Sequence, residues 1–201
     1  MTDYLRFVGS KTTFNSRKWG KLEVESVSFT PASDGDMVVY IGEPLKEERP
    51  LVRIHCECIF AEVFDSDFCD CADQLVLAMN ILKREKNGIL FYLRFDGRGA
   101  GLSAKIKATS LEMDGKDTFE SRVEIGVAPE GRNFSNIALF LLNRGVRKIT
   151  LLTNNPIKIS DLVNNGIDVE TKPLIIDNPN KNIEKLYHTK VNKFNHTING
   201  Y

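Results

Sequence analysis

The amino-acid sequence predicts a mixed α/β fold, β-rich in its N-terminal half and α/β in its C-terminal half. Three observations carry this prediction. Up to about residue 71 the apolar residues alternate with polar ones or fall in short β-branched runs, the pattern of strands. From Asp73 the period turns helical, with Leu75, Leu77, Ala78, Met79, Ile81 and Leu82 at helical spacing. Beyond residue 88, short apolar runs and helical stretches take turns, the order from which α/β layers are built.

The elements follow in order. Residues 24–29 (VESVSF) alternate as a half-buried strand, residues 30–36 (TPASDGD) read as a turn, and residues 37–41 (MVVYI) are a second, apolar strand. Residues 51–58 (LVRIHCEC) form a strand running into a cysteine cluster. A helix is expected over 73–86, with Asp73 as its N-cap and Gly88 as its stop. Residues 88–94 are a buried strand, and residues 102–113 a helix ended by Asp114 and Gly115. A helix over 135–144 stops at Gly145. A strand over 148–153, a helix over 156–164 and a strand over 166–172 follow. Residues 182–193 read as a last, amphipathic helix.

The chain has 201 residues with 42% hydrophobic content, enough to bury a core, and a single domain over 1–201 is expected. Its 27 basic and 27 acidic side chains balance. No general affinity for polyanions follows, so neither nucleic acid nor a membrane surface is an expected partner, and any anion site must be local. No apolar run is long enough to span a membrane, the start Met1-Thr2-Asp3-Tyr4-Leu5-Arg6 lacks a secretory pattern, and no internal repeat is present. Four cysteines without such a signal point to a reducing, cytoplasmic setting and to metal or catalytic use.

The cysteines carry the sharpest chemistry. Cys58, Cys69 and Cys71 are spaced C-x10-C-x-C. Three protein ligands with a fourth position left for water is the arrangement of a catalytic zinc site, whereas four ligands make a closed structural one. Cys56 is a candidate fourth ligand, which keeps the closed site open as an alternative. A C-x-C pair is too cramped for an ordinary disulfide. On the strand into the cluster, Arg53, His55 and Glu57 share one face and Cys56 and Cys58 the other. His55, the one histidine near the metal motif, reads as a catalytic residue or, alternatively, as a core histidine or one beside the metal. His188 and His196 fall on a polar tail, where surface positions are expected.

Two turns suit anions. Gly97, Gly99 and Gly101 follow a strand and open a helix, so backbone N–H groups can approach a phosphate, with Arg94 and Arg98 able to clamp its oxygens. Thr153-Asn154-Asn155-Pro156 also joins strand to helix, with Pro156 suited to the first helical position. Lys158 in that first turn opposes the helix dipole, which makes more sense if it meets an anion; a solvated lysine is the bland alternative. From residues alone the reading stops at a zinc hydrolase acting on a nucleotide-like compound.

These segments together resemble GTP cyclohydrolase II, the enzyme that opens guanine in riboflavin synthesis. The resemblance is clearest over 51–196. It rests on Arg53-Ile54-His55-Cys56-Glu57-Cys58, Cys69-Asp70-Cys71 with Gln74, Asp96 through Leu102, and Lys105-Ile106-Lys107-Ala108. It continues through Asp117-Thr118, Arg132, Leu151 through Pro156 with Lys158, and Thr189-Lys190. It implies a homodimeric hydrolase of cyclic amidine C–N bonds that takes GTP or a related purine nucleotide. By the same resemblance, Cys58, Cys69 and Cys71 would hold one Zn2+ per subunit, and Mg2+ would accompany the triphosphate. Nucleotide contacts would come from Arg53, Ile54, His55, Cys56, Glu57, Gln74, Asp96, Gly97, Arg98, Thr118, Thr153 and Lys158. Arg132 matches the family arginine assigned to attack the α-phosphorus and expel pyrophosphate. Stabilising phosphate charge is an equally good role for a guanidinium. Glu130 stands where the family has an aspartate assigned as proton acceptor.

The departures bear on the product. By the resemblance, Thr109 replaces a family tyrosine linked to progress beyond the first ring opening, and its hydroxyl is shorter and far less acidic. An arrest at the formamidopyrimidine nucleotide, with formate retained and pyrophosphate released, is therefore expected. The full reaction, releasing formate and a diaminopyrimidinone ribosylamino phosphate, is the first alternative. Phe95-Asp96 replaces Gln-Glu and Cys56 replaces a serine. These substitutions motivate a second alternative, a non-catalytic paralogue that binds zinc and a nucleotide.

Overall fold

The computed structural model describes residues 9–29, 35–198 and 200–201. Most of the turn expected over 30–36, and the N-terminal hexapeptide, lie outside the described residues. Strands β1 (Lys11–Ser16), β2 (Gly20–Val27), β3 (Asp36–Ile41) and β4 (Leu51–Cys56) come first. Helices α1 (Ile59–Phe64) and α2 (Cys71–Glu85), strand β5 (Gly88–Leu93), and helices α3 (Leu102–Met113), α4 (Glu120–Glu124) and α5 (Ser135–Asn143) follow. Strand β6 (Lys148–Leu152), helix α6 (Pro156–Asn164), strand β7 (Asp168–Lys172) and helix α7 (Lys181–Phe194) complete the order. The mixed α/β class is as the sequence predicts.

The strands form one seven-stranded sheet in the order β1-β2-β3-β5-β4-β6-β7. The β1, β2, β3 and β5 neighbours pair antiparallel, and the β5, β4, β6 and β7 neighbours pair parallel. The chain leaves β4 for β5 on one side and later returns to β6 on its other side. That reversal opens a crevice beyond the carboxyl end of β4, the usual place for a ligand in a parallel sheet.

Period-two alternation buries both faces of the sheet. Val38, Tyr40, Val52, Ile54, Phe91 and Leu151 face Ile137, Phe140 and Leu141 of α5 and Leu162 of α6. Val39, Ile41, Leu90 and Leu152 face Ala78, Met79 and Leu82 of α2. Phe29, Phe91 and Phe140 meet edge to face with centroids 5.4–5.8 Å apart, a geometry worth about 0.5–1.5 kcal/mol per pair beyond burial.

Several boundaries differ from expectation for physical reasons. The β4 ladder ends at Cys56, not residue 58. The Glu57 N–H still reaches the Leu93 carbonyl at 2.8 Å, and Cys58 has already turned to cap α1, its carbonyl accepting from Ala61 and Glu62. Helix α2 starts at Cys71 with Asp70, not Asp73, at its N-cap. The Asp70 carboxylate makes no cap bond because partners on α2 and α7 take it. Strand β1 is exposed along almost its whole length, so it shows no apolar alternation. Helices α1 and α4 are six and five residues long, too short to display a helical period. No helix among the described residues is long and apolar enough to cross a membrane.

Candidate active site

Beyond the carboxyl ends of β4, β5 and β6 lies a cleft open to solvent. Arg53, His55, Cys56, Glu57, Gln74, Asp96, Gly97, Arg98, Thr109, Thr118, Arg132, Thr153 and Lys158 all line it, with the three cysteines at positions 58, 69 and 71. Arg94, expected to clamp a phosphate, does not line it and pairs with Glu57 while half-exposed; nor do two of the residues implied by the resemblance. The Ile54 side chain is fully buried in the core, and only its carbonyl faces the site, accepting from Lys158 Nζ at 2.8 Å. Glu130 stands behind the wall, holding two arginines.

Cys58 at the start of α1, Cys69 in the following loop and Cys71 in the first turn of α2 bring three sulfurs to one point, all within 4.8 Å of one another. Cys58 and Cys69 are 3.5 Å apart. Tetrahedral Zn–S bonds of about 2.3 Å place sulfurs about 3.8 Å apart, so the donor set fits such an ion. Cys56 is not in this group. Its side chain packs on the core side of β4 and meets the Arg132 guanidinium. The closed four-cysteine site therefore has no fourth sulfur in place. Hydrogen bonds from Cys69 and Cys71, and then the Lys105 ammonium, push the Cys58 thiol far down. Cys69 is pushed up to about 12 and Cys71 is also raised, each chiefly by its bond to Cys58. A divalent cation would take all three as thiolates.

Around the cysteines the cations outnumber the carboxylates left to pair with them. Arg53 is buried and donates to the Leu152 carbonyl at 3.0 Å and to Gln74 Oε1 at 2.8 Å; burial lowers it to about 10. Lys158 Nζ donates to the Ile54 carbonyl and lies 5.5 Å from the centre of the Phe134 ring, and burial lowers it to about 7. Neither has a carboxylate partner among the described residues. Arg98 and Arg132 share the single carboxylate of Glu130. Arg132 Nε donates to Oε1 at 2.7 Å, Arg98 Nη1 to Oε2 at 3.3 Å, and Arg132 Nη2 also to Oε2. Burial alone would raise Glu130, but the bonds and charge of Arg132, with Arg98, overcome it and hold the carboxyl at about 2. Such a carboxylate is a poor proton acceptor, and Arg132 stays cationic.

The glycine-rich turn is built for close approach. Gly97 has φ 62°, and Arg98 adopts the left-handed region at φ 59°, which costs a side-chain-bearing residue about 1–2 kcal/mol. Arg98 is held there by Glu130 and by stacking 4.1 Å from the Phe194 ring. Asp96, expected among the nucleotide contacts, lines the cleft and is also engaged within the protein. Its Oδ1 accepts from Lys105 Nζ at 2.6 Å and from the Gly97 N–H at 2.7 Å. Its Oδ2 has only a 3.4 Å contact from the Ile59 N–H. On the other turn, Asn155 caps α6 through Ile157 N–H at 2.9 Å, and Thr153 Oγ1 accepts from the Asn155 N–H at 3.1 Å. Thr118 Oγ1 accepts from Arg122 Nη1 at 2.6 Å.

Sequence reasoning missed several groups. Lys105 reaches both Asp96 and, at 3.0 Å, Cys58 Sγ. It sits one helical turn before Thr109 on the same face of α3, a spacing that could have revealed it. Asp70 lies between two of the cysteines and accepts from Lys190 Nζ at 2.8 Å, Gln74 Nε2 at 2.5 Å and Tyr187 OH at 2.9 Å. His196 is half-buried and lines the cleft; burial, then Lys190, lowers it to about 3. His188 is exposed, as expected.

A model of the GTP cyclohydrolase II family matches residues 8–173. The riboflavin biosynthesis protein RibBA of Bacillus subtilis is 43% identical over 156 residues, which cover 77% of this chain and 39% of that protein. The GTP cyclohydrolase-2 of Archaeoglobus fulgidus is 38% identical over 165 residues, 82% of this chain and 43% of that one. The GTP cyclohydrolase-2 of Buchnera aphidicola subsp. Schizaphis graminum is 38% identical over 181 residues, 90% of this chain and 92% of that one. The chain thus spans about two fifths of the length of the first two relatives and nearly all of the third. The three cysteines and the cleft's Arg53, Arg98, Arg132 and Lys158 lie inside the matched region, and the chain belongs to the GTP cyclohydrolase II family.

Proposed function

We propose that this chain opens the imidazole ring of GTP by zinc-dependent hydrolysis, releases pyrophosphate and stops at the formamidopyrimidine nucleotide. The observation that carries the reading is a three-cysteine centre, with no fourth sulfur, in a cleft whose cations await an anion. A zinc ion held by Cys58, Cys69 and Cys71 would supply Lewis-acid chemistry for hydrolysis at C8 of the purine. Arg53, Arg98 and Lys158 bind the triphosphate, and Mg2+ accompanies it. Arg132 stabilises charge developing on the α-phosphate as pyrophosphate leaves. Its enforced positive charge favours this role over nucleophilic attack. Glu130 orients Arg98 and Arg132, and its carboxyl near 2 argues against a proton-accepting role. Gln74, Thr118, Thr153 and the peptide groups of Gly97 and Ile54 complete the contacts.

Thr109 supports the arrest. It lines the cleft on the Lys105 face of α3, where a phenol would reach further into the space than its hydroxyl does. Free, unpaired cysteines agree with a cytoplasmic setting. One sheet joining all seven described strands agrees with a single domain. A homodimer belongs to the reading too, since Val63, Phe64, Leu102 and Ile106 expose apolar side chains on α1 and α3. A monomer by analytical ultracentrifugation would remove that part.

The test is GTP turnover by protein stripped of metal and then restored with Zn2+, both with Mg2+ present. Ring opening should vanish on stripping and return on restoration. Ring opening that survives stripping refutes the metal role. Arg132→Ala should lose pyrophosphate release, and a variant that retains it removes Arg132 from the reaction.

A further inference from the structure

Glu62 lies on α1, four residues after Cys58, and no part of the reaction above uses it. Its side chain is only 11% exposed. It receives three hydrogen bonds. Oε1 accepts from the Cys58 N–H at 2.7 Å and bonds His55 Nε2 at 2.9 Å, and Oε2 accepts from Tyr92 OH at 2.7 Å. His55 and Tyr92 are partners in register on the parallel strands β4 and β5, and their rings stack 5.6 Å apart at 26°. One carboxylate thus fastens a metal-site peptide group and two neighbouring rings.

This arrangement decides where the imidazole proton sits. An oxygen already accepting from the Cys58 N–H is an acceptor toward His55 as well, so Nε2 carries the hydrogen. The other nitrogen, Nδ1, is buried, has no partner among the described residues, and belongs to a ring that lines the cleft. His55 is 2% exposed, and its charged form is disfavoured first by burial and then by Arg53. A proton on Nδ1 would be stranded beside cations, whereas a bare lone pair is an acceptor awaiting a donor.

We propose that Glu62 is a positioning residue that fixes His55 in the Nε2–H tautomer, so that Nδ1 accepts a hydrogen bond from an N–H or O–H group of the bound nucleotide. This rests on the nucleotide reading above. A ligand that offers only acceptors at this point would leave Nδ1 buried and unpaired, so the residue pair selects for a donor.

The test is long-range proton–nitrogen NMR of the histidine rings in zinc-loaded protein labelled with nitrogen-15, with His55 assigned by its loss in His55→Gln. The expected ring is the Nε2–H tautomer with a bare Nδ1, whose resonance moves upfield on saturation with a non-hydrolysable GTP analogue. Glu62→Gln keeps an acceptor oxygen and should keep the tautomer. Glu62→Ala should give mixed tautomers and weaken analogue binding about ten-fold, the worth of roughly one hydrogen bond. If Glu62→Ala does not fold, the wild-type and Glu62→Gln spectra still decide. A 2′,3′-dideoxy analogue separates the donors, since a shift that survives it comes from the base and a shift that disappears comes from the ribose. An Nδ1–H tautomer or an imidazolium at neutral pH overturns the proposal. So does an Nδ1 resonance unmoved by saturating analogue in a sample that opens GTP, an outcome that leaves the proposed function intact. Failure to bind or open GTP, with the tautomer as expected and kept in Glu62→Gln, overturns the nucleotide reading and leaves Glu62 as the positioning group.

Discussion

Asp70→Ala tests how the metal hairpin is held. The Asp70 carboxylate is fully buried and sits between Cys69 and Cys71. It accepts from Lys190 Nζ at 2.8 Å, Tyr187 OH at 2.9 Å and Gln74 Nε2 at 2.5 Å. Burial would raise this carboxyl, but Lys190 and the other donors lower it below its ordinary value. Removing it strands the Lys190 ammonium, whose side chain is only 11% exposed. Breaking a buried pair from one side costs about 3–5 kcal/mol. For a domain of this size about 2–4 °C of Tm is lost per kcal/mol, so a fall of roughly 6–20 °C is expected. Urea denaturation of the zinc-loaded protein should give the same free-energy loss without a large change in slope. Lys190→Met in the same chain should recover part of it, because the stranded charge is then gone. The carboxylate is ionised in the folded state and more readily protonated in the unfolded one. Its contribution is therefore present above the unfolded carboxyl range and lost as pH falls through the lower, folded value. A loss below about 1 kcal/mol, the scale of an exposed pair, with no recovery in the double variant, would refute the reasoning.

Three further outcomes are expected. Cys69→Ser should lower zinc retained after chelator dialysis well below one ion per chain and abolish ring opening; full zinc content in this variant would dissolve the three-cysteine centre. Thr109→Tyr should raise the ratio of formate to pyrophosphate released from GTP, and an unchanged ratio in an active protein would remove Thr109 as the cause of arrest. Lys158, lowered to about 7 when the pocket is empty, sets a pH dependence. An anionic ligand favours its charged form, so affinity for a non-hydrolysable GTP analogue should fall as pH rises through about 7, and Lys158→Met should flatten that slope. The sign for the empty protein is opposite. The unfolded chain keeps this proton up to the ordinary lysine value and the folded chain does not, so this group makes stability rise with pH over that interval.

The sequence made the cysteine centre, the mixed α/β class and the two strand-to-helix turns legible, because each depends on spacing or on a local apolar period. Cys58, Cys69 and Cys71 converge although one caps α1, one lies in the following loop and one begins α2. Cys56 stayed apart from them because it ends β4 and meets Arg132, whereas Cys58, expected on the same face, has already left the strand to cap α1. What stayed hidden depends on pairing across the chain. Asp70 looked like a spacer between two ligands until Lys190 and Tyr187, on a helix far along the sequence, closed on it. Glu62 shows no local sign of His55 and Tyr92, which reach it from two strands. Nothing local in the sequence marks Asp96 as the partner of Lys105, which takes one of its oxygens. Strand β1 had no apolar face to betray it, since its edge position leaves it in solvent.

The fate of one carbon tests the function most directly. GTP carrying carbon-13 at C8 would be incubated with zinc-loaded protein and Mg2+ and followed by carbon NMR. The purine signal should give way to a formamide signal, with pyrophosphate released and little free formate. Conversion to free formate would contradict the arrest at the formamidopyrimidine, and a purine signal that persists unchanged would contradict ring opening itself.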